Sequence, residues 1–243
     1  MSGINQNCVF AIAQIESMFA DDIGNSAVGA GTGFFLRTEG GTTAFVTNRH
    51  NVDPRLNPRA RNIGPAARLR SVSIRLRFHD QAQQTLPVTS LATVALAQTE
   101  VRHSTDADVS AFIKPVFPHL PSGLGFNCIN ARELATQDAI AATVSLADIV
   151  TFVGYPGGAD GQPWWDTHWH TPVGRLAGLA SRPDIPFTNP QIGTADVTLV
   201  SGLSFRGSSG SPVILHQKAA APIGFLISNQ PQPSAWTPDC EAR

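Results

Sequence analysis

The segment FRGSSGSPV, residues 205–213, places Ser209 among glycines just before a run of strand-forming residues. Glycine tolerates backbone conformations that let N–H groups approach a ligand closely. A serine in such a turn presents its hydroxyl, and the N–H groups of Gly207 and Ser209 can converge on one point. Convergent donors stabilise an oxyanion developing on an attacked carbonyl, each contributing about 2.7–4 kcal/mol. A plain glycine–serine hairpin turn reads the same way, so this segment alone does not decide.

A serine hydroxyl is a weak nucleophile without a base beside it. FVTNRHNV, residues 45–52, supplies one: an apolar, β-forming run stops at Asn48, and His50 follows at its end. An acid that orients the imidazole and stabilises the imidazolium completes the set. STDADVSAFIKP, residues 104–115, offers Asp108 at the start of an apolar strand. Asp106 lies two residues upstream, where turn capping is the simpler reading. The order His50, Asp108, Ser209 separates the triad architectures. Only His216 follows Ser209, with no acid between them, against the α/β-hydrolase order. Asp21 and Asp22 precede His50, as the subtilisin order needs, but the helical segments are missing. An acid between histidine and serine fits an all-β chain of 243 residues.

The elements that must position these groups are short runs of Val, Ile, Phe and Thr, punctuated by 21 glycines and 18 prolines. That pattern predicts an all-β sandwich or barrel. Strands are expected near 8–15, 31–37, 43–48, 71–78, 108–113, 148–155, 172–181, 196–200, 211–215 and 222–228. SIRLRF alternates, with Arg75 and Arg77 on one face and Ile74, Leu76 and Phe78 on the other, as in a half-buried strand. Residues 131–142 read as a short helix or a loop. The Pro-rich stretch 114–125 reads as a linker between halves.

Several segments, in order, resemble the trypsin-like (chymotrypsin-fold) serine proteases of bacterial type. GAGTGFFL resembles the strand before the catalytic histidine, FVTNRHNV the histidine segment, DVSAFI the aspartate segment, TFVGYPGG the "GYP" strand and GSSGSPV the nucleophile loop. The resemblance spans roughly residues 8–229. It implies two packed six-stranded antiparallel β-barrels with the site in the cleft between them. Residues 1–120 would form the first barrel, with His50 and Asp108. Residues 121–243 would form the second, with Ser209 and the oxyanion donors Gly207 and Ser209. The implied activity is a serine endopeptidase acting through an acyl-enzyme, with a protein or peptide substrate and no cofactor. A pseudoprotease or peptide-binding module, and an esterase using the same triad, are the alternatives.

Departures from the family pattern carry information. Ser208 stands where animal members have an aspartate that pairs with a freshly cut N-terminus, so that activation route is not expected. Ser211 replaces the usual second glycine after the nucleophile, and Asn51 replaces a disulfide-forming cysteine. By resemblance, Leu203 is the floor of the specificity pocket, Ser228 and Asn229 lie on its wall and Arg206 on its rim. Leu203 offers no charge, which points to an apolar or small side chain before the cut.

Composition bounds the rest. Hydrophobic residues make up 42% and charged residues 14% of the chain, enough for a sizeable core. A net charge of −1 gives no general field for nucleic acid. No apolar run approaches a spanning helix, and no membrane association is expected. MSGINQNCVFAIAQ lacks a basic n-region and a small-residue cleavage site, so no signal peptide is read. Cys8, Cys128 and Cys240 are scattered and odd in number, which argues for a reducing, cytoplasmic compartment. A protease there is expected to be held in check by a regulatory partner or a restricted substrate. GQPWWDTHWHT, residues 161–171, holds three of the four tryptophans. It reads as a surface loop packed on the second barrel. On a strand, His168 and His170 would share a face, but beyond Asp166 no third metal ligand is evident.

Overall fold

The computed structural model describes residues 6–78, 88–119, 127–157, 162–190, 193–215 and 225–227. A short helix, α1 (Gln6–Phe10), leads into β1 (Ile12–Ala20), so the first strand starts later than its apolar run. Then follow β2 (Ser26–Arg37), β3 (Thr43–Thr47), α2 (Pro58–Ile63), β4 (Arg68–Phe78), β5 (Val88–Thr93), β6 (Glu100–His103) and β7 (Ser110–Ile113). After them come β8 (Ile129–Asn130), α3 (Gln137–Thr143), β9 (Ile149–Gly154), β10 (Val173–Leu179), β11 (Phe187–Asn189), β12 (Gly193–Ala195), β13 (Val200–Ser201), β14 (Pro212–Leu215) and β15 (Phe225–Ile227).

The first sheet has the order β5-β4-β1-β2-β3-β7-β6, antiparallel throughout, with β8 added parallel to β2. β5 and β6 are its two edges, yet only residues 94–99 separate them in the chain. That connection reaches at most about 20 Å, so the sheet must curl until its edges approach. Val94 N–H donates to Val72 O at 2.8 Å, and Ala95 N–H to Val116 O at 2.9 Å, fastening the connection to β4 on one side and to the segment after β7 on the other. The second sheet has the order β13-β10-β9-β14-β15, and β11 and β12 form a separate ribbon. The architecture is the chymotrypsin-like all-β one, but no closed barrel forms among the described residues. Among the described residues the two sheets hold eight and five strands, where six and six were expected.

Alternation explains the packing. Val72, Ile74 and Leu76 on β4 are buried inside the first sheet with Ile15, Phe35, Phe45 and Phe112. Phe45 centres this core, its ring 5.0 Å from Phe35 and 6.2 Å from Phe112. A second cluster joins the sheets: Ile12, Phe34 and Val46 from the first meet Val153, Tyr155 and Ile214 from the second. Arg77 departs from the alternation expected of β4. It is 3% exposed, turned onto Tyr155 rather than into solvent. Residues 131–142 resolve into a 3₁₀ turn at Ala131–Glu133 followed by α3.

Replacing a fully buried phenylalanine by alanine removes its transfer free energy and leaves a cavity. Phe45→Ala is therefore expected to lower the unfolding free energy by about 3–5 kcal/mol, measurable as a lower urea midpoint.

Candidate active site

β3 ends at Thr47, and the chain turns into a 3₁₀ segment, Arg49–Asn51, that presents His50. The turn is braced from below by Asp53, 2% exposed, whose backbone N–H donates to Arg49 O at 2.8 Å. Its carboxylate accepts from Arg49 Nε at 2.9 Å and from Arg55 Nε and Nη2 at 3.0 and 2.8 Å. Burial opposes its ionisation, but the hydrogen bonds and charge of the two arginines outweigh that and bring its pKa to about 2. Asn57 Nδ2 donates to His50 O at 2.9 Å, while its Oδ1 caps α2 by accepting from Arg59 and Ala60 N–H.

Arg49 also reaches the acid. Its backbone N–H donates to Asp108 O at 3.1 Å and its Nη1 to Ser104 O at 3.1 Å, clamping the loop before β7 onto the histidine turn. The Asp108 carboxylate takes three donors: the His50 backbone N–H at 2.8 Å, Asn48 Nδ2 at 2.9 Å, and the His50 ring through Nδ1. Burial again opposes ionisation, but hydrogen bonding and charge from His50, with help from Asn48, hold its carboxyl below the usual carboxylate range. With Nδ1 engaged by Asp108, the ring's other nitrogen is Nε2. Asp106 is exposed, in a turn where its N–H and that of Ala107 donate to Ser104 Oγ. Asp108 is thus the acid brought to His50.

Ser209 lies in the turn between β13 and β14 and is half-buried. Its carbonyl accepts from Thr32 N–H at 2.8 Å and from Asn51 Nδ2 at 3.0 Å, so the residue after His50 grips the serine's own backbone. Gly207 and Gly210 have φ of 80° and 89°, the left-handed region that favours glycine. A Cβ on Gly210 would lie 1.9 Å from Thr32 O. Among the described residues, no acceptor takes the N–H of Gly207 or of Ser209. Gly207 O instead accepts from Thr32 Oγ1 at 2.7 Å. Ser208 is 8% exposed, and among the described residues its hydroxyl has no partner.

Of the remaining expected residues, Leu203 and Arg206 are among those described. The Leu203 side chain is 77% exposed, and only its carbonyl is engaged, accepting from Arg175 Nη1 at 3.2 Å. Arg206 is exposed, its carbonyl accepting from Gly157 N–H at 2.7 Å. Ser228, Asn229 and His216 lie outside the described residues. Trp164 packs edge-on against Phe205 and Trp165 against Tyr155, so this loop packs on residues that flank β9 and β14. Residues 167–170 form a turn rather than a strand, and Asp166 Oδ1 accepts the His168 and Trp169 N–H groups. Sequence reasoning missed Asn48, Asn51, Asn57 and Thr32. The cluster of asparagines around His50 was the available signal, since buried amides need several partners.

No protein-family model matches this sequence, and no curated protein matches it. Solved structures do. The chain is similar to Deg5, with a TM-score of 0.52 and 13% identity, covering 86% of this chain and 76% of that one. It is also similar to the HtrA-type protease AlgW with a decapeptide, with a TM-score of 0.49 and 11% identity, covering 92% of this chain and 61% of that one. The fold is that of the trypsin-like serine proteases.

Asp53 carries a pH signature. Its carboxylate titrates near 3.9 in an unfolded chain and near 2 in the folded one. The stability it contributes is complete above about pH 4 and is lost as pH falls toward 2. Allowing for the exposure of Arg55, this amounts to about 1–2 kcal/mol. Asp53→Asn should lower stability at pH 7 by that order and flatten its decline between about pH 4 and pH 2, as read from unfolding midpoints across the range.

Proposed function

We propose that the chain is a serine endopeptidase that hydrolyses peptide bonds through Ser209, His50 and Asp108. The observation that supports this reading is the His50–Asp108 pair, whose turn is tied to the Ser209 backbone. The His50 ring and Asp108 form a hydrogen-bonded pair, and the neighbouring Asn51 fastens that pair's turn to the carbonyl of Ser209. His50 takes the proton of the Ser209 hydroxyl as it attacks a carbonyl, and Asp108 stabilises the imidazolium. The unengaged N–H groups of Gly207 and Ser209 receive the oxyanion. His50 then protonates the leaving amine, and water releases the acyl group from Ser209.

Residues 1–120 act as the half bearing base and acid, and residues 121–243 as the half bearing the nucleophile. The substrate is a protein or peptide. Specificity is set around Leu203, Arg206, Ser228 and Asn229, with an apolar or small residue before the cut. Ser208 cannot form the ion pair that matures animal relatives, so control falls to a regulatory partner or a narrow substrate. Among the described residues, no helix is long and apolar enough to cross a membrane. The three cysteines are scattered and odd in number, which favours a cytoplasmic setting.

Labelling with a fluorophosphonate tests the nucleophile without a known substrate. Intact mass should show one adduct on the wild-type chain and none on Ser209→Ala, and Asp108→Asn should slow labelling by orders of magnitude. A folded wild-type chain that takes no adduct would indicate a binding module. Labelling with ester turnover but no peptide cleavage would indicate an esterase.

A further inference from the structure

Arg77 is a cation buried at the junction of the two sheets, 3% exposed. Its Nη2 donates to Tyr155 Oη at 2.5 Å and to the carbonyl of His170. Its guanidinium carbon lies 5.9 Å from the ring centroids of Phe10 and Tyr155. Nε and Nη1 are buried without an acceptor, and no ion pair to Arg77 forms among the described residues. Burying such a charge costs several kcal/mol, and an apolar side chain of similar size often serves stability better. Packing alone therefore does not explain an arginine here.

What it holds is Tyr155, 2% exposed. Burial pushes the phenol up to about 12, so it stays protonated and donates to His170 O at 3.0 Å while accepting from Arg77. The backbone of Tyr155 and its neighbours forms the seat of the oxyanion loop. A Cβ on Gly207 would lie 2.3 Å from Tyr155 O, so the Gly207 backbone rests directly on that carbonyl. Tyr155 N–H donates to Thr32 Oγ1 at 3.0 Å, and that hydroxyl donates to Gly207 O at 2.7 Å. Gly157 N–H donates to Arg206 O at 2.7 Å. The Arg206–Gly207 peptide, whose orientation decides where the Gly207 N–H points, is thus held at Arg206 O by Gly157, and the next peptide is held at Gly207 O by Thr32 Oγ1, which itself accepts from Tyr155 N–H.

We propose that Arg77 is a positioning residue for the oxyanion loop. By fixing the Tyr155 side chain from the first sheet, it sets the conformation of the Arg206–Gly207 peptide on the second. This inference rests on the serine-protease reading. It deepens that reading by adding a connection from β4 to the oxyanion donors that bypasses His50 and Asp108.

The test compares wild type, Tyr155→Phe, Arg77→Met, Arg77→Lys and the Tyr155→Phe/Arg77→Met double variant. Each is checked for folding by thermal melting and labelled with a fluorophosphonate over a range of probe concentrations. Loss of the oxyanion geometry should lower the maximal labelling rate about tenfold or more while leaving the probe concentration for half-maximal rate unchanged. The double variant should be no slower than the slower single one, because both act through one connection. Arg77→Lys should recover part of the rate. Tyr155→Phe removes one oxygen atom, and it decides the matter if Arg77→Met does not fold. A folded Tyr155→Phe that labels within twofold of wild type, or additive losses in the double variant, would overturn the positioning role. A folded wild type that takes no label would overturn it together with the protease reading, an outcome distinct from the other two.

Discussion

The carbonyl of Ser209 accepts two hydrogen bonds from the opposite sheet, and the geometry of the site depends on them. One donor is the backbone of Thr32 on β2; the other is the amide of Asn51 in the histidine turn. Asn51 uses its second amide hydrogen on Thr47 Oγ1 at 2.9 Å, and Thr47 donates in turn to Thr32 O at 2.7 Å. Four residues from three segments thus close a circuit in which every buried donor finds an acceptor. Thr32 and Thr47 are fully buried and Asn51 is 5% exposed, so none of these groups can turn to water instead. Displacing any one leaves others unsatisfied at about 1–3 kcal/mol each. The turn that carries Ser209 therefore has one low-energy seat relative to the turn that carries His50.

Such close backbone contact leaves no room for side chains, and this places the glycines. A Cβ on Gly31 would lie 2.4 Å from Asn51 Nδ2, and one on Gly154 would lie 2.1 Å from Ser211 Oγ. The serine that replaces the usual glycine at 211 is accommodated because Gly154 faces it. GAGTG on β2 and the glycine closing β9 are thus the walls against which the histidine turn and the nucleophile turn are pressed. Their role is proximity, where that of Gly207 and Gly210 is also backbone conformation.

This explains which parts were legible in the sequence. Ser209, His50 and Asp108 could be read because each sits where an apolar run stops or starts, and β3, β9 and β14 were marked by those same runs. β5 and β6 were not read, since VTSLAT and EVRH are short and polar. They are strands because β4 and β7 offer them edges, a tertiary cause with no local signature. β1 was placed too early because α1 interrupts an apolar run that periodicity does not divide. Arg77 looked like one of two solvated arginines on an alternating strand. The alternation of burial breaks there because the face assigned to water is covered at that end by Tyr155 and the carbonyl of His170, which come from residues far along the chain.

The buried charges of the molecule fall into two kinds, and the difference bears on function. Asp53 and Asp108 are each met by several donors, including at least one cation or imidazole, so their ionisation is favoured despite burial. They anchor the half that presents the base, and their networks lie within one sheet. Arg77 is met by a neutral phenol and a carbonyl, so its charge is desolvated without full compensation. A fully compensated charge holds a fixed arrangement firmly. An under-compensated one gives up more when its few partners move, so the energy of the junction is concentrated in Tyr155 Oη and His170 O. Asp53 and Asp108 thus hold the turn that carries His50, while Arg77 meets Tyr155, whose carbonyl lies against Gly207.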